Sequence, residues 1–377
     1  MSETDRNNCW TRRRLVGALG LGAASGALPA AAAPKNALPR WRGFNLLYLF
    51  QARRQTGPVE IPEDDFRMIA DLGFDFVRIP MDYWFWIEPN WRQSGRPSRD
   101  DVLKIVESGL EPVDRIVEFG RKYGIHVSLN FHRGPGYCIN DAELEPFVLW
   151  RDAEAEEAFV HHWEVFAKRY RDIRPSELSF NLLNEAPRPR PGYMSREDYR
   201  RVMTRATEKI REITPDRTII IDGLSVGTEV VYEMIPTGVA QSVHAYMPAE
   251  VSHYRAAWVD RRRDFPYPLW PALRRDGSGL ISRETLEEHY EPWGWLVRQG
   301  IGVHCGEAGA YNKTPHDTFL KWMCDVLDIL KMHNIGWALW NFRGSFGVLD
   351  SGREDADYKD WYGHKLDWKL LTLLQYH

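Results

Sequence analysis

Four cysteines in 377 residues are too few for a disulfide framework. Cys9 falls in an N-terminal segment read below as removable, which leaves Cys138, Cys305 and Cys324. Their spacing fits no zinc site, an odd number permits at most one bridge among them, and buried free thiols are expected. Charge of neither sign dominates, since 49 Lys and Arg stand against 53 Asp and Glu for a formal net charge of −4. This balance excludes a strongly basic nucleic-acid surface, and no partner of that kind is expected. Beyond the N-terminus there is no run of like charge and no low-complexity tract, so nothing marks a disordered tail. No Gly-rich phosphate loop follows the first apolar run, which argues against a doubly wound open sheet.

What is present in quantity is apolar and aromatic. Hydrophobic residues make up 44% of the chain, with 16 Trp, 16 Tyr and 16 Phe, enough for one large core. Length alone suggests two domains, but α/β barrels run this long as one unit. Thr11-Arg12-Arg13-Arg14-Leu15-Val16 forms a twin-arginine pattern. A Gly- and Ala-rich stretch follows, and Ala30-Ala31-Ala32 and Ala31-Ala32-Ala33 offer small-residue cleavage sites. Residues 1–33 are therefore expected to be a cleaved twin-arginine signal, sending folded protein to the periplasm or beyond without stable membrane association. A retained anchor from about Leu15 to Ala33 is the alternative, because the length is near the minimum for spanning.

From Arg40 onward, short apolar runs alternate with amphipathic stretches. Strands are expected at Arg42–Leu47, Asp75–Pro80, Ile125–Phe131, Leu178–Asn184, Thr218–Asp222, Gln241–Ala245, Ile301–Gly306 and Ile335–Trp340. Helices are expected around Pro62–Leu72, Leu110–Tyr123, Glu154–Arg171, Arg196–Ile213, Glu229–Ile235, Arg283–Val297, His316–His333 and Trp368–Leu374. Leu72-Gly73, Tyr123-Gly124 and Gln299-Gly300 have the chemistry of helix C-caps. Eight strands each followed by a helix predict an α/β fold, a single (β/α)8 TIM barrel over residues 34–377. The aromatic, Pro-rich interval Met247–Ser282, with Trp258, Phe265, Tyr267 and Trp270, reads as an insertion after strand six, beside the active-site face.

Barrel chemistry sits at the C-terminal ends of strands. Those ends carry Arg78, His132, Asn184-Glu185, His244 with Tyr246, Glu307 and Trp340. Each alone has a plain structural explanation: a salt-bridged arginine, satisfied interior histidines, a core tryptophan. Their appearance together at one end of six strands is what points to a site. Glu185 and Glu307 each close a short apolar run, where a carboxylate is costly unless it does chemistry. A metal centre built on His132, His244 and His304 is the less favoured reading. The first strand offers Asn45-Leu46-Leu47 in place of a His-x-His pair, and strand alternation points His304 away if Glu307 points in.

The segments Phe74-Asp75-Phe76-Val77-Arg78-Ile79-Pro80, Leu129-Asn130-Phe131-His132, Leu182-Leu183-Asn184-Glu185-Ala186-Pro187, His244-Ala245-Tyr246, Gly306-Glu307-Ala308-Gly309 and Gly336-Trp337-Ala338-Leu339-Trp340 resemble glycoside hydrolase family 5, the cellulase family of retaining barrel glycosidases. The resemblance spans roughly Trp41 to the C-terminus. It implies Glu185 as general acid and base and Glu307 as nucleophile, in a double displacement with an oxocarbenium-like transition state. Asn184 is then expected on the sugar 2-hydroxyl, Arg78 and Tyr246 on the Glu307 anion, His132 and His244 on hydroxyls and carboxylates, and Trp340 beneath the reacting ring. No metal or organic cofactor is implied, and a monomer is expected.

The sugar is less well specified. Val77–Tyr83 and His132-Arg133-Gly134-Pro135-Gly136-Tyr137 are similar to compact bacterial endo-β-1,4-glucanases of the family, which makes a secreted β-glucan hydrolase of that kind the first expectation. Exo-β-1,3-glucanases, β-glucosidases and β-mannanases share the catalytic set and remain alternatives. A barrel that binds sugar without catalysis is a distant one, because both carboxylates are present.

Overall fold

A computed structural model describes residues 36–259 and 266–377. The expected signal at residues 1–33 and Phe265 of the insertion lie outside the described residues. Eight strands form the barrel: β1 Arg42–Asn45, β2 Phe76–Asp82, β3 His126–Gly134, β4 Leu178–Asn181, β5 Thr218–Asp222, β6 Ala240–Ala245, β7 Val303–Ala308 and β8 Gly336–Leu339. Each pairs in parallel with its sequence neighbour, β8 pairs with β1, and the β2–β3 pairing closes the sheet into a barrel. The longer helices are α1 Glu63–Asp71, α2 Glu111–Tyr123, α3 Ala153–Arg169, α4 Arg196–Ile213, α5 Arg283–Arg298, α6 His316–Met332 and α7 Trp368–Tyr376. No helix among the described residues is long and apolar enough to cross a membrane.

Local sequence explains these elements. In α2 the buried residues are Val113, Ile116, Val117 and Gly120, a stripe at helical spacing that faces the barrel. Pro112 and acidic Glu111 and Asp114 occupy its first turn, Arg121 and Lys122 its last, as the helix dipole favours. Each apolar side chain in such a stripe contributes about 1.5–3 kcal/mol by leaving water. Gly120 packs directly on Val127 of β3, where an added Cβ would come within 2.3 Å of Val127 Cγ2, so a branched residue there would lift the helix off the sheet. The three expected glycine stops, Gly73, Gly124 and Gly300, all have left-handed φ, at 80°, 67° and 78°. Cys138 and Cys305 are free and buried.

Three expectations need correction. The helix expected at Glu229–Ile235 is instead a 3-10 turn over Tyr232–Thr237. Gln241 pins the start of that turn: its side-chain amide accepts from Val231 N–H and donates to Val231 C=O, each at 2.9 Å, which takes the Val231 N–H out of any helical ladder while the carbonyl also accepts from Met234 N–H at 3.1 Å. The segment after β8 also folds further than expected, into an antiparallel hairpin of Tyr358–Trp361 and His364–Asp367. Tyr362 and Gly363 turn it with φ of 52° and 81°.

The third concerns His304. A β-bulge in β7 sets Cys305 opposite Val243 but Glu307 opposite His244, so Gly306 is the extra residue and the alternation changes phase. His304 therefore faces the barrel axis near its base, packed on Phe76 at 4.4 Å between ring centroids, and Glu307 still faces in at the mouth. Gly306 also points inward, where a Cβ would lie 2.5 Å from Ser242 Oγ.

In the interval after β6, the described residues form a short helix, Ala249–Ser252, and a small hairpin of Ala272–Leu273 with Leu280–Ile281. Trp258 is 59% exposed and stands edge-on to Tyr311, with 4.8 Å between ring centroids.

Candidate active site

The upper interior of the barrel is polar. Asn45, Arg78, Asn130, His132, Asn181, Asp222, His244 and Glu307 are all buried there, from seven different strands. Arg78 on β2 organises them. Its Nη1 donates to Glu307 Oε1 at 2.8 Å and Asn45 Oδ1 at 3.0 Å. Nε donates to Asn181 Oδ1 and Nη2 to Asn184 Oδ1, both at 2.8 Å. The planar guanidinium fork suits this radial distribution of acceptors; a lysine ammonium would reach fewer of them.

Glu307 accepts on its other oxygen from Tyr246 Oη, at 2.9 Å. Burial pushes the Glu307 carboxyl above its ordinary range, His244 and Arg78 pull it down, and Glu185 and Asp222 push it up; the net direction is upward. Arg78 and His244 thus limit a rise that burial imposes, and Tyr246 donates to the same anion. Burial, then the Glu307 charge, hold the Tyr246 hydroxyl well above its usual range, so it remains a donor.

Glu185 projects from the turn after β4 with φ of +45°, a left-handed conformation unusual for a residue with a side chain. Two contacts hold it so. Its N–H donates to Asp222 Oδ2 at 3.0 Å, and its carbonyl accepts from Tyr137 Oη at 2.7 Å. The twist lets consecutive residues Asn184 and Glu185 both face the same mouth.

His244 lies between carboxylates. Nδ1 is 3.0 Å from Glu185 Oε1 and 3.7 Å from Glu307 Oε2, and Nε2 is 3.1 Å from Asp222 Oδ2. The last contact has ion-pair distance without hydrogen-bond alignment. Burial opposes the positive ring, but Glu307 and Asp222 outweigh it and His244 is pushed up to about 10. Burial likewise opposes the Asp222 anion, and the His244 and Arg78 charges overcome that to hold its carboxyl well below the usual range. His132 goes the other way: burial, then the Arg78 and His244 charges, push it well below its ordinary value, so the ring is neutral. Its Nε2 lies 3.5 Å from Asn184 Nδ2. Trp340 stands half-buried beside it, 5.7 Å between ring centroids, with Phe50 at 5.5 Å from the indole.

Six of the eight residues expected from the sequence, namely Arg78, Asn184, Glu185, His244, Tyr246 and Glu307, thus share one hydrogen-bonded and ion-paired network. His132 touches it through Asn184, and Trp340 flanks it through ring contacts alone. Glu185, His244 and Glu307 bring one donor atom each within 4.8 Å of one another, a span that a metal ion could fill. The contacts suit His244 as an imidazolium in ion pairs better than as a metal ligand, because both ring nitrogens face carboxylates and a protonated ring has no lone pair to give. The metal reading with His304 meets a further obstacle, since that ring lies at the base of the barrel and its Nε2 is 3.3 Å from Trp41 O.

Sequence reasoning passed over Asn45, Asn181, Asp222 and Tyr137. Asn45 and Asp222 end β1 and β5, so the strand-end rule applied to those strands would have found both. Asn181 lies three residues before Asn184, and Tyr137 closes the Gly-Pro-Gly turn.

Comparison with known proteins agrees with this geometry. The family model of the cellulases, glycosyl hydrolase family 5, matches residues 33–345. Endoglucanase C of Acetivibrio thermocellus is 26% identical over 306 residues, covering 75% of this chain and 84% of that protein. A crystal structure described as a glycoside hydrolase superposes with a TM-score of 0.83 at 37% identity, covering 89% of this chain and 99% of the other. Thermotoga maritima Cel5A in complex with mannotriose gives 0.68 at 25% identity, covering 89% and 97%. The chain belongs to glycoside hydrolase family 5 and is a glycoside hydrolase.

Proposed function

We propose that the chain is a secreted endo-β-1,4-glucanase that retains anomeric configuration, with Glu185 as general acid and base and Glu307 as nucleophile. The observation that carries this reading is the approach of the two carboxyl groups, whose nearest oxygens lie within 4.8 Å at the barrel mouth. Retaining enzymes separate the pair by about 5–5.5 Å, whereas inverting ones leave about 6.5–9.5 Å for a water. The surroundings support the division of labour. Glu307 receives Arg78 and Tyr246, donors that favour an anion able to attack carbon.

In the first step a Glu307 oxygen bonds to the anomeric carbon from the α face. The bond to the leaving oxygen breaks as Glu185 gives that oxygen its proton. In the second, Glu185 takes a proton from water, whose oxygen attacks the same carbon from the β face and expels Glu307. Both carboxyl groups return to their starting states, and the scheme uses no metal or organic cofactor. In this reading Asn184, held by Arg78, binds the 2-hydroxyl and Trp340 stacks on the reacting ring.

The endoglucanase name of the Acetivibrio relative favours β-1,4-glucan, and the mannotriose complex of the Thermotoga enzyme keeps β-mannan in the test. Products should be measured on carboxymethylcellulose, barley glucan, laminarin and mannan. Rapid loss of viscosity per reducing end on the first two is expected. Monosaccharide release from chain ends alone would reject endo action, and an α-anomeric first product by NMR would reject retention. Residues 1–33 are read as a twin-arginine signal that places a monomeric enzyme in the periplasm or outside the cell. Intact residues 1–33 on protein recovered from those fractions would overturn cleavage.

A further inference from the structure

We infer that Asp222, a carboxylate assigned to neither catalytic role, is the positioning residue that fixes both the His244 ring and the main chain of Glu185. The inference rests on the roles of Glu185 and Glu307 proposed above. Asp222 ends β5 fully buried, and its oxygens serve four partners from four other parts of the barrel. Oδ2 accepts from Glu185 N–H at 3.0 Å and lies 3.1 Å from His244 Nε2 and 3.4 Å from Arg78 Nη2. Oδ1 accepts from Asn181 Nδ2 at 2.9 Å. A buried carboxylate persists only when paired and hydrogen-bonded, and this one is both.

The charges around His244 show what Asp222 adds. Glu185 faces the ring from the turn after β4, Asp222 from β5, and Glu307 from β7. Arg78 approaches from β2, bonded to Glu307 and close to Asp222. Tyr246 comes just after β6, neutral His132 stands on β3, and His253 in the insertion is pushed down to about 4 by burial. Glu185 and Glu307 both change charge or bonding during a double displacement. Asp222 takes no part in those steps, so it is the constant counter-ion of the ring. With it in place, both ring nitrogens keep their protons and Nδ1 presents a donor to Glu185 throughout.

A second observation comes from the main chain just beyond. Ser225, Val226 and Gly227 follow one another with φ of 54°, 58° and 78°, and a left-handed β-branched valine is costly. This unusual turn seats Gly227 on the imidazole, where a Cβ would come within 2.7 Å of His244 Cγ. It also lets Val226 N–H donate to the carbonyl of Ala186, the neighbour of Glu185, at 2.9 Å. The segment from Asp222 to Gly227 therefore grips the ring by edge and face, and the acid turn at two peptide groups.

The test is Asp222→Asn, which keeps the shape and an acceptor oxygen but removes the charge. Turnover of cello-oligosaccharides is expected to fall about 10- to 100-fold, the cost of removing the hydrogen-bond partner behind a metal ligand, applied here to the partner behind a catalytic group. KM should stay within about threefold, because no sugar contact is lost. The alkaline limb of kcat should move down by at least about one pH unit as His244 loses its partner. A folded variant with wild-type kcat and an unmoved alkaline limb would overturn the inference. Should the variant not fold, nitrogen-15 NMR of His244 in the wild-type protein decides: a proton on Nε2, the nitrogen facing Asp222, is expected at pH 8, and an unprotonated Nε2 at that pH overturns it. The NMR measurement needs no substrate, so its outcome stands apart from a failure to hydrolyse any glucan.

Discussion

Replacing Tyr246 by Phe deletes one oxygen atom from the site and leaves the ring edge-on to His253 at 4.8 Å and Phe346 at 6.3 Å. The deleted hydroxyl donates to Glu307 Oε2 at 2.9 Å. A hydrogen bond to a charged group contributes about 1.5–3 kcal/mol, which converts to roughly one to two pH units in the titration of the acceptor. Burial already pushes the Glu307 carboxyl upward, and loss of the donor pushes it further the same way. The nucleophile must be ionised, so the acidic limb of kcat/KM should rise by about one to two pH units.

On the pH plateau the effect should depend on the step. Glu307 loses its charge as the covalent bond forms and regains it as the bond breaks. If half of that charge has returned in the second transition state, about half of the hydrogen-bond energy is missing there, roughly 0.8–1.5 kcal/mol, and release slows about 4- to 13-fold. An aryl β-cellobioside with a good leaving group makes the second step limiting, so kcat should fall by that factor and KM should fall with it as the intermediate accumulates. The assay is a pH series of initial rates, with near-ultraviolet circular dichroism to establish the fold. A folded variant whose acidic limb coincides with wild type would refute the role given to this hydroxyl.

Three further outcomes are expected. Azide should rescue Glu185→Ala on an activated aryl glycoside with a β-glycosyl azide product, whereas rescue of Glu307→Ala should give the α-azide; reversed products would exchange the two roles. His244 is pushed up to about 10 in the folded chain, against about 6.5 unfolded, so its contribution to stability is complete below about 6.5 and is lost as pH rises toward 10. Denaturant titrations of wild type and His244→Gln at pH 6 and 9.5 should therefore show a stability gap that narrows at the higher pH, and a constant gap would contradict the ion pairing. Trp258→Ala removes an exposed indole beside Tyr311 and should raise KM about tenfold for long cello-oligosaccharides, as expected from some 60 Å² of lost apolar contact, while leaving short aryl substrates unchanged. Equal effects on both substrate lengths would remove Trp258 from the cleft.

The barrel was legible because its units repeat. Each α-helix stop at glycine and each apolar run is a local signal, and Thr218–Asp222 and Arg196–Ile213 fall where periodicity puts them. Legibility failed where distant side chains decide the backbone. Nothing local to Val230 and Val231 announces that Gln241 will bind the Val231 N–H, so a helix was expected and a 3-10 turn formed. The hairpin ending at Asp367 was hidden differently: its turn uses Tyr362 before Gly363, not the asparagine or aspartate that usually marks such turns.

The site shows the same division. Glu185 and Glu307 were visible because a carboxylate after an apolar run is conspicuous, and Arg78 because a cation inside a buried strand is equally so. Asp222 ends a buried strand in the same manner, but its partners lie on β2, the β4 turn and β6, and only closure of the barrel brings them together. His304 and Glu307 carry the lesson further. Strict alternation would have sent one of them outward, and a single bulge at Gly306 places both inside, one in the apolar base and one in the polar mouth. A methyl group at Gly306 would meet Ser242 Oγ at 2.5 Å, so a larger residue there must turn the serine hydroxyl aside. Gly306→Ala should consequently disturb the network around Glu307 without altering any residue that touches sugar. The register shift at Gly306, beside the nucleophile, is what turns Glu307 to the same side as His304.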